Sequence, residues 1–160
     1  MNVGNLYSLL NLINMDIVPL TTDNLDDCTG VFIKSYNQPP WNYHWTFDKA
    51  KQYLSEYMNC RSYAGFLLYD EEQPVGAMLG HKKTWWTGQQ FMIDEFFISS
   101  EKQRMGYGKK LLDFCDRYAN ENQIELLILM TNKYMPAYNF YTKSGYITTE
   151  QYVFMFKQLL

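Results

Sequence analysis

The stretch EKQRMGYGKKLLDF, residues 101–114, sets Gly106 and Gly108 one residue apart at the head of an apolar, helix-like run. The first turn of a helix leaves four N–H groups without intrahelical partners, and the helix dipole adds about half a positive charge there. Glycines let such a backbone bend sharply and approach a ligand with no Cβ in between. A turn of this kind between a strand and a helix is an anion cradle, most often for phosphate. Arg104, Lys109 and Lys110 put full positive charges beside it. The plainer alternative is a glycine loop that closes a strand-to-helix turn under solvated lysines.

Two familiar glycine templates fail. A nucleoside-triphosphate loop needs GxxxxGK[ST], whereas Lys109 follows only GYG and precedes Lys110. A dinucleotide fingerprint needs GxGxxG, and Leu111 stands where its third glycine belongs. The segment does match Q/R-x-x-G-x-G/A, in Gln103, Gly106 and Gly108. Downstream, PAYNFYTKSGY carries A-x-x-x-Y-x-x-x-G in Ala137, Tyr141 and Gly145. In this order and spacing the chain, over residues 15–158, resembles the GNAT superfamily of acyl-CoA-dependent N-acetyltransferases. The resemblance implies acetyl-CoA (coenzyme A) as cosubstrate. Its pyrophosphate would lie on Gln103, Arg104, Met105, Gly106, Tyr107, Gly108 and Lys109, and its pantetheine arm along the strand at Phe97 and Ile98. Many members place a cofactor-contacting asparagine three residues before the motif alanine. Here that position is Tyr134, and Asn132 is the nearby candidate, with Asn139 also close.

Acetyl transfer to an amine requires a neutral nitrogen, yet alkylamines such as lysine have a pKa of about 10.4. A carboxylate near the thioester, acting directly or through water, can take that proton. The stretch IDEFFI offers Asp94 and Glu95. Adjacent strand residues point to opposite faces, so only one of the two is expected to face the substrate. Diamine acetyltransferases of the superfamily have a similar acidic-acidic-Phe-Phe stretch and a similar NFY, and that likeness puts Asp94 at the base position. The residues alone leave Glu95 open, and for either acid they leave a plain salt bridge open. By the same resemblance, the Ile98 amide donates to the negative oxygen of the tetrahedral intermediate. Tyr141, phenolic and a proton donor at neutral pH, is implied both as cofactor contact and as general acid. The implied reaction is direct attack in a ternary complex, without an acyl-enzyme. Cys115 lies on the apolar stripe of a helix and reads as core filling rather than a nucleophile.

Specificity is expected from SYNQPPWNYHWTF and KKTWWTG. Trp41, Tyr43, Trp45, Trp85 and Trp86 could wall a site for a cation through its attraction to aromatic faces. His44, alone in a loop, reads as ordinary surface. Aromatics beside acids favour a small basic amine: polyamine, aminoglycoside-like or lysine-like. The alternatives are a protein or peptide N-acetyltransferase, and a non-catalytic acyl-CoA-binding regulatory module.

These residues need a scaffold. At 160 residues the chain can bury one full core. A net charge of −3 and a pI near 5.3 argue against a nucleic-acid surface. Cys28, Cys60 and Cys115 form no CxxC pair and read as reduced thiols of a cytoplasmic protein, and with only His44 and His81 besides, no metal site is expected. No apolar run reaches the roughly 18 residues of a membrane span. Residues 1–14 read as an N-terminal extension and 15–160 as a single GNAT-like domain. A strand at 16–20 leads to a helix capped by Thr22, Asp23 or Asn24, and a second helix spans 46–59. AGFLLYD, PVGAMLGHKKTWW and FMIDEFFIS follow as strands. Then come a helix from Gly108, the apolar strand IELLILMT, expected to be central and covered on both faces, a helix opened by Pro136, and a final strand YVFMFKQLL. The fold class is α+β: a GNAT-like mixed, mostly antiparallel sheet with one central parallel βαβ unit and helices on both faces. By analogy, VFMFKQLL could pair across a homodimer interface.

Overall fold

In the computed structural model, which describes residues 15–159, the chain opens with β1 (Met15–Pro19), whose ladder partner is β2 (Tyr63–Asp70). The expected extension, residues 1–14, lies outside the described residues. Between these strands run two helices, α1 (Leu25–Tyr36) and α2 (Phe47–Met58). The entry to α1 is a short 3-10 turn, Thr22–Asn24, closed by a capping box. Thr21, one residue ahead of the expected caps, accepts from the Asp23 amide, while Asn24 accepts from the Thr21 amide. Helix α2 is capped by Thr46, with Asp48 in its first turn, where a negative charge suits the helix dipole.

The sheet continues through β3 (Gln73–Trp85) and β4 (Gly88–Ile98), each antiparallel to its predecessor. After β4 come helix α3 (Tyr107–Glu121) and β5 (Ile124–Leu129), which runs parallel to β4 and completes a five-stranded sheet in the order β1-β2-β3-β4-β5. One face packs on α1 and α2 through Cys28, Val31, Phe32, Ala50 and Leu54 against Leu67, Ala77, Leu79 and Phe97. The other face packs on α3, where Phe66 meets Phe114 and Tyr118, and Phe91 meets Tyr118. The α+β sheet with helices on both faces is as expected. Strand β5 is less covered than its unbroken apolar run suggested: Leu126 is 50% exposed, and among the described residues β4 is its sole strand neighbour.

The chain divides after Met130 into two compact units. The second contains α4 (Pro136–Lys143), with Pro136 opening it and Gly145 following it at φ 92°. The expected final strand is absent: residues 152–159 form no regular structure, and Phe154, Met155 and Phe156 are exposed. A strand exists only where a partner takes its backbone N–H and C=O groups, and none of the described ladders includes this segment.

Candidate active site

Both strand acids sit at a break in the β3–β4 ladder. Leu79 pairs with Glu95 but Gly80 pairs with Ile93, so Asp94 is an extra residue on β4, a β-bulge. The bulge changes which way side chains point. Phe91 meets Tyr118 of α3 edge-on at 5.8 Å, whereas Phe97 meets Phe32 of α1 at 5.3 Å on the opposite face. Regular alternation would put residues 91 and 97 on one face. With the extra residue, Asp94 and Glu95 both turn toward α1 and α2, and this corrects the expectation that adjacent acids look opposite ways.

Each acid has its own partners. Glu95 accepts from the Tyr36 hydroxyl at 2.8 Å and from the Tyr53 hydroxyl, which also bonds Tyr57 at 2.7 Å. Burial pushes the Glu95 carboxyl above the usual glutamate value; the tyrosine hydrogen bonds pull it back and the charge of Asp94 adds to the rise. Asp94 lies 2.6 Å from His81 Nδ1, and His81 follows Leu79 by two residues on the same face of β3. Neither His81, Tyr36 nor Tyr53 was singled out by the sequence. The available signal was their alternation or helical spacing with core residues, which reads as packing until the acids are placed.

The loop after α1 arches over this point and is stapled by one side chain. Asn37 donates to the Trp45 carbonyl and accepts from the Trp45 amide, both at 2.9 Å. The staple gathers aromatic rings: Tyr36 stacks on Tyr43 at 6.0 Å and meets Trp41 at 5.7 Å, while Trp45 lies 5.1 Å from Tyr53. Of the five aromatic candidates, Trp41, Tyr43 and Trp45 therefore join the tyrosines that hold Glu95. Trp85 and Trp86 do not. They occupy the β3–β4 hairpin end, 46% and 86% exposed, and six strand residues separate Trp85 from Leu79, or about 20 Å. His44 is exposed in the same loop.

Beyond the bulge, β4 turns polar backbone toward its far edge. The Ser99 amide donates to the Val75 carbonyl at 2.8 Å, so alternation directs the Ile98 N–H away from β3. The Ile98 carbonyl on that edge accepts from Gln103 Nε2 at 3.1 Å, which ties the strand end to the glycine turn. Pairing with β5 stops at Ile93, so the two strands part just before the acids. Phe97 itself is buried on the α1 face, its ring 5.9 Å from Tyr36.

The turn has the conformation its glycine requires. Gly106 has φ 91°, a region side chains disfavour, and an added Cβ there would meet nothing within 4 Å. Arg104 is also left-handed, at φ 62°. Gly106 caps α3 without a side-chain bond, and no acid lies in that first turn. Helix α2 has both, so the N–H groups of Tyr107, Gly108 and Lys109 open a helix suited to an anion from outside. That arrangement fits a diphosphate. Tyr107 is buried and donates to Asp70 at 2.6 Å, and Lys102 reaches the same oxygen at 2.9 Å, anchoring the turn to the end of β2. Met105 is exposed, and Lys109 pairs with Asp113 along the helix.

Within the second unit, Tyr141 is buried on α4, its ring against Phe140 and Tyr146. Asn132 accepts from the Tyr134 amide at 2.9 Å and shapes the turn before α4. The thiols of Cys28 and Cys115 are pushed up to about 12 by burial, so neither is a nucleophile.

The acetyltransferase (GNAT) family model matches residues 30–146. Among curated protein sequences, none matches this chain. Solved structures match over nearly the whole chain. An aminoglycoside acetyltransferase from an uncultured soil metagenomic sample, in complex with trehalose, aligns at TM-score 0.71 and 18% identity, covering 92% of this chain and 97% of its own. An aminoglycoside N-acetyltransferase solved with CoA aligns at TM-score 0.68 and 16% identity, covering 91% and 95%. A ribosomal-protein-alanine N-acetyltransferase from Brucella melitensis biovar Abortus aligns at TM-score 0.71 and 14% identity, covering 90% and 99%. At these identities the likeness establishes the fold; the family follows from the family model, which spans the bulged strand, the uncapped glycine turn and the tyrosine helix. This chain belongs to the GNAT acetyltransferase family, enzymes that take an acetyl group from acetyl-CoA to an amine.

Proposed function

We propose that this enzyme acetylates a small basic amine, in the class of polyamines, aminoglycosides or lysine-like compounds, by direct attack in a ternary complex. The observation that carries the reading is the bulge at Asp94, which sets two carboxylates on one face beneath Tyr36, Tyr53, Trp41, Tyr43 and Trp45. Acids among aromatic faces attract an organic cation and then relieve it of a proton. Both Glu95 oxygens are already engaged by tyrosines, so Asp94 is the base and Glu95 anchors the aromatic loop.

Coenzyme A would be held by the amides of Tyr107, Gly108 and Lys109, by the turn from Gln103 to Gly106, and by the edge of β4 at Phe97 and Ile98. When bound, it supplies the activated thioester. The Ile98 N–H is directed along the free side of the β4 end and serves as donor to the developing negative oxygen. Tyr141, carried from the family motif, gives its proton to the leaving sulfur, and Asn132 contributes to the cofactor side. Residues 15–160 act together as one acetyltransferase domain. The free thiols of Cys28, Cys60 and Cys115 support a cytoplasmic setting, and the exposed apolar run at 152–159 supports a homodimer.

The test is release of free thiol from acetyl-CoA with a panel holding spermidine, an aminoglycoside, lysine and a peptide with a free N-terminus. Turnover of a small amine, with Tyr141→Phe lowering kcat about a hundredfold at little change in coenzyme A affinity, is expected. Turnover of the peptide alone would overturn the substrate class. Coenzyme A binding with no turnover would overturn the enzyme reading in favour of a binding module.

A further inference from the structure

His81 belongs to the site although no motif points to it. Its Nδ1 is 2.6 Å from Asp94 Oδ2, and the contact joins neighbouring strands at the bulge itself. The pair is graded toward water: the Asp94 side chain is 17% exposed and the His81 side chain 31%. Around it stand Glu95, the next residue on β4; Tyr63, opposite His81 on β2; and Tyr57 of α2, which feels the charges of both Asp94 and Glu95. Lys83, two residues on along the same face of β3, keeps its ammonium over Trp85, 5.9 Å from the ring centre. His81 thus sets an imidazole, a group that can take up and give up a proton at its ring nitrogens, directly against the bulge acid.

Building on the amine-acetylation reading, we propose that His81 is the positioning and proton-relay partner of Asp94, the two acting as one proton-accepting pair. As the amine nitrogen forms its bond to the acyl carbon, it loses one proton to Asp94, directly or through water. In the resting pair His81 Nδ1–H donates to the Asp94 carboxylate across the 2.6 Å contact, so the carboxyl gives the proton up through water to His81 Nε2, and the imidazolium releases it to solvent. The pair goes from net −1 to neutral and back, and the carboxylate is restored for the next turnover. The thiolate proton comes separately, from Tyr141. Glu95 cannot stand in, since its oxygens are held by the Tyr36 and Tyr53 hydroxyls.

With His81 already protonated, its positive charge holds Asp94 as a poor base and the relay is full. Wild-type kcat/KM should therefore rise with pH as the relay empties.

The experiment measures the pH profile of acetyl-CoA turnover with the best amine of the panel, for wild type, His81→Gln and Asp94→Asn, with coenzyme A affinity as the check on folding. His81→Gln should lower kcat about 10- to 100-fold at pH 7.5, change the shape of the pH profile and recover in part on adding free imidazole, while binding coenzyme A as wild type does. Asp94→Asn should lose more and gain nothing from imidazole. A His81→Gln profile superimposable on wild type would overturn the relay and leave the acetyltransferase reading standing. So would a rate loss with the wild-type profile shape kept and no rescue, which marks a merely structural role. Failure of wild type to acetylate any amine would overturn the amine-acetylation reading and the relay with it.

Discussion

Replacing Tyr53 by Phe removes one oxygen and little else. The ring keeps its place among Phe32, Trp45 and Tyr57, at 5.7, 5.1 and 5.2 Å. What goes is the hydroxyl that donates to Glu95 and meets the Tyr57 hydroxyl. A hydrogen bond to a charged group is worth about 1.5–3 kcal/mol and one to a neutral group about 0.5–1.5. Burial already raises the folded-state pKa of Glu95 above the ordinary glutamate value. A carboxyl raised in this way binds more protons folded than unfolded, so its contribution to stability is best below the ordinary value and worsens as pH rises through the raised one. Removing a donor that favours the ionised form raises that pKa further. Tyr53→Phe should therefore cost about 2 kcal/mol at pH 7.5, roughly 4–8 °C in Tm for a chain of this size, and about half as much near pH 4.5. Urea unfolding at the two pH values, with Tyr57→Phe as control for the pH-independent hydroxyl pair, measures it. An equal loss at both would show that Glu95 is not the charge the tyrosine serves.

Asp70 should matter to the cofactor without touching it. It accepts from Tyr107 and Lys102, which draws its carboxyl below the ordinary aspartate value, so what it adds is present above that value and lost as pH falls through the lowered one. Asp70→Asn keeps an acceptor oxygen for Tyr107 and Lys102 and should leave the fold intact, but weaken coenzyme A binding about tenfold by calorimetry; an unchanged Kd would separate the anchor from the turn. Thiol labelling at pH 8 should modify Cys60 promptly and spare Cys28 and Cys115 until the protein unfolds, because only Cys60 is exposed. Three equally fast thiols would contradict the packing of α1 and α3.

Local signals carried much of this protein. Pro136 before a helix, Gly145 after one, Thr46 ahead of α2 and the glycine turn ahead of α3 are short-range chemistry, written in neighbouring residues, and each stands where its spacing put it. The acids Asp94 and Glu95, and the aromatic residues Trp41, Tyr43 and Trp45, were likewise visible as types suited to an amine. Their mutual arrangement was not. A bulge is a mismatch in count between two strands, so only the pairing of β3 with β4 could turn both acids to one face. The same pairing brought His81 to Asp94, and the packing of α1 and α2 brought Tyr36 and Tyr53 to Glu95, across 59 and 42 residues of chain. Strand β5 and the run at 152–159 show the limit from the other side: apolar composition favours a strand, but only a partner's backbone makes one.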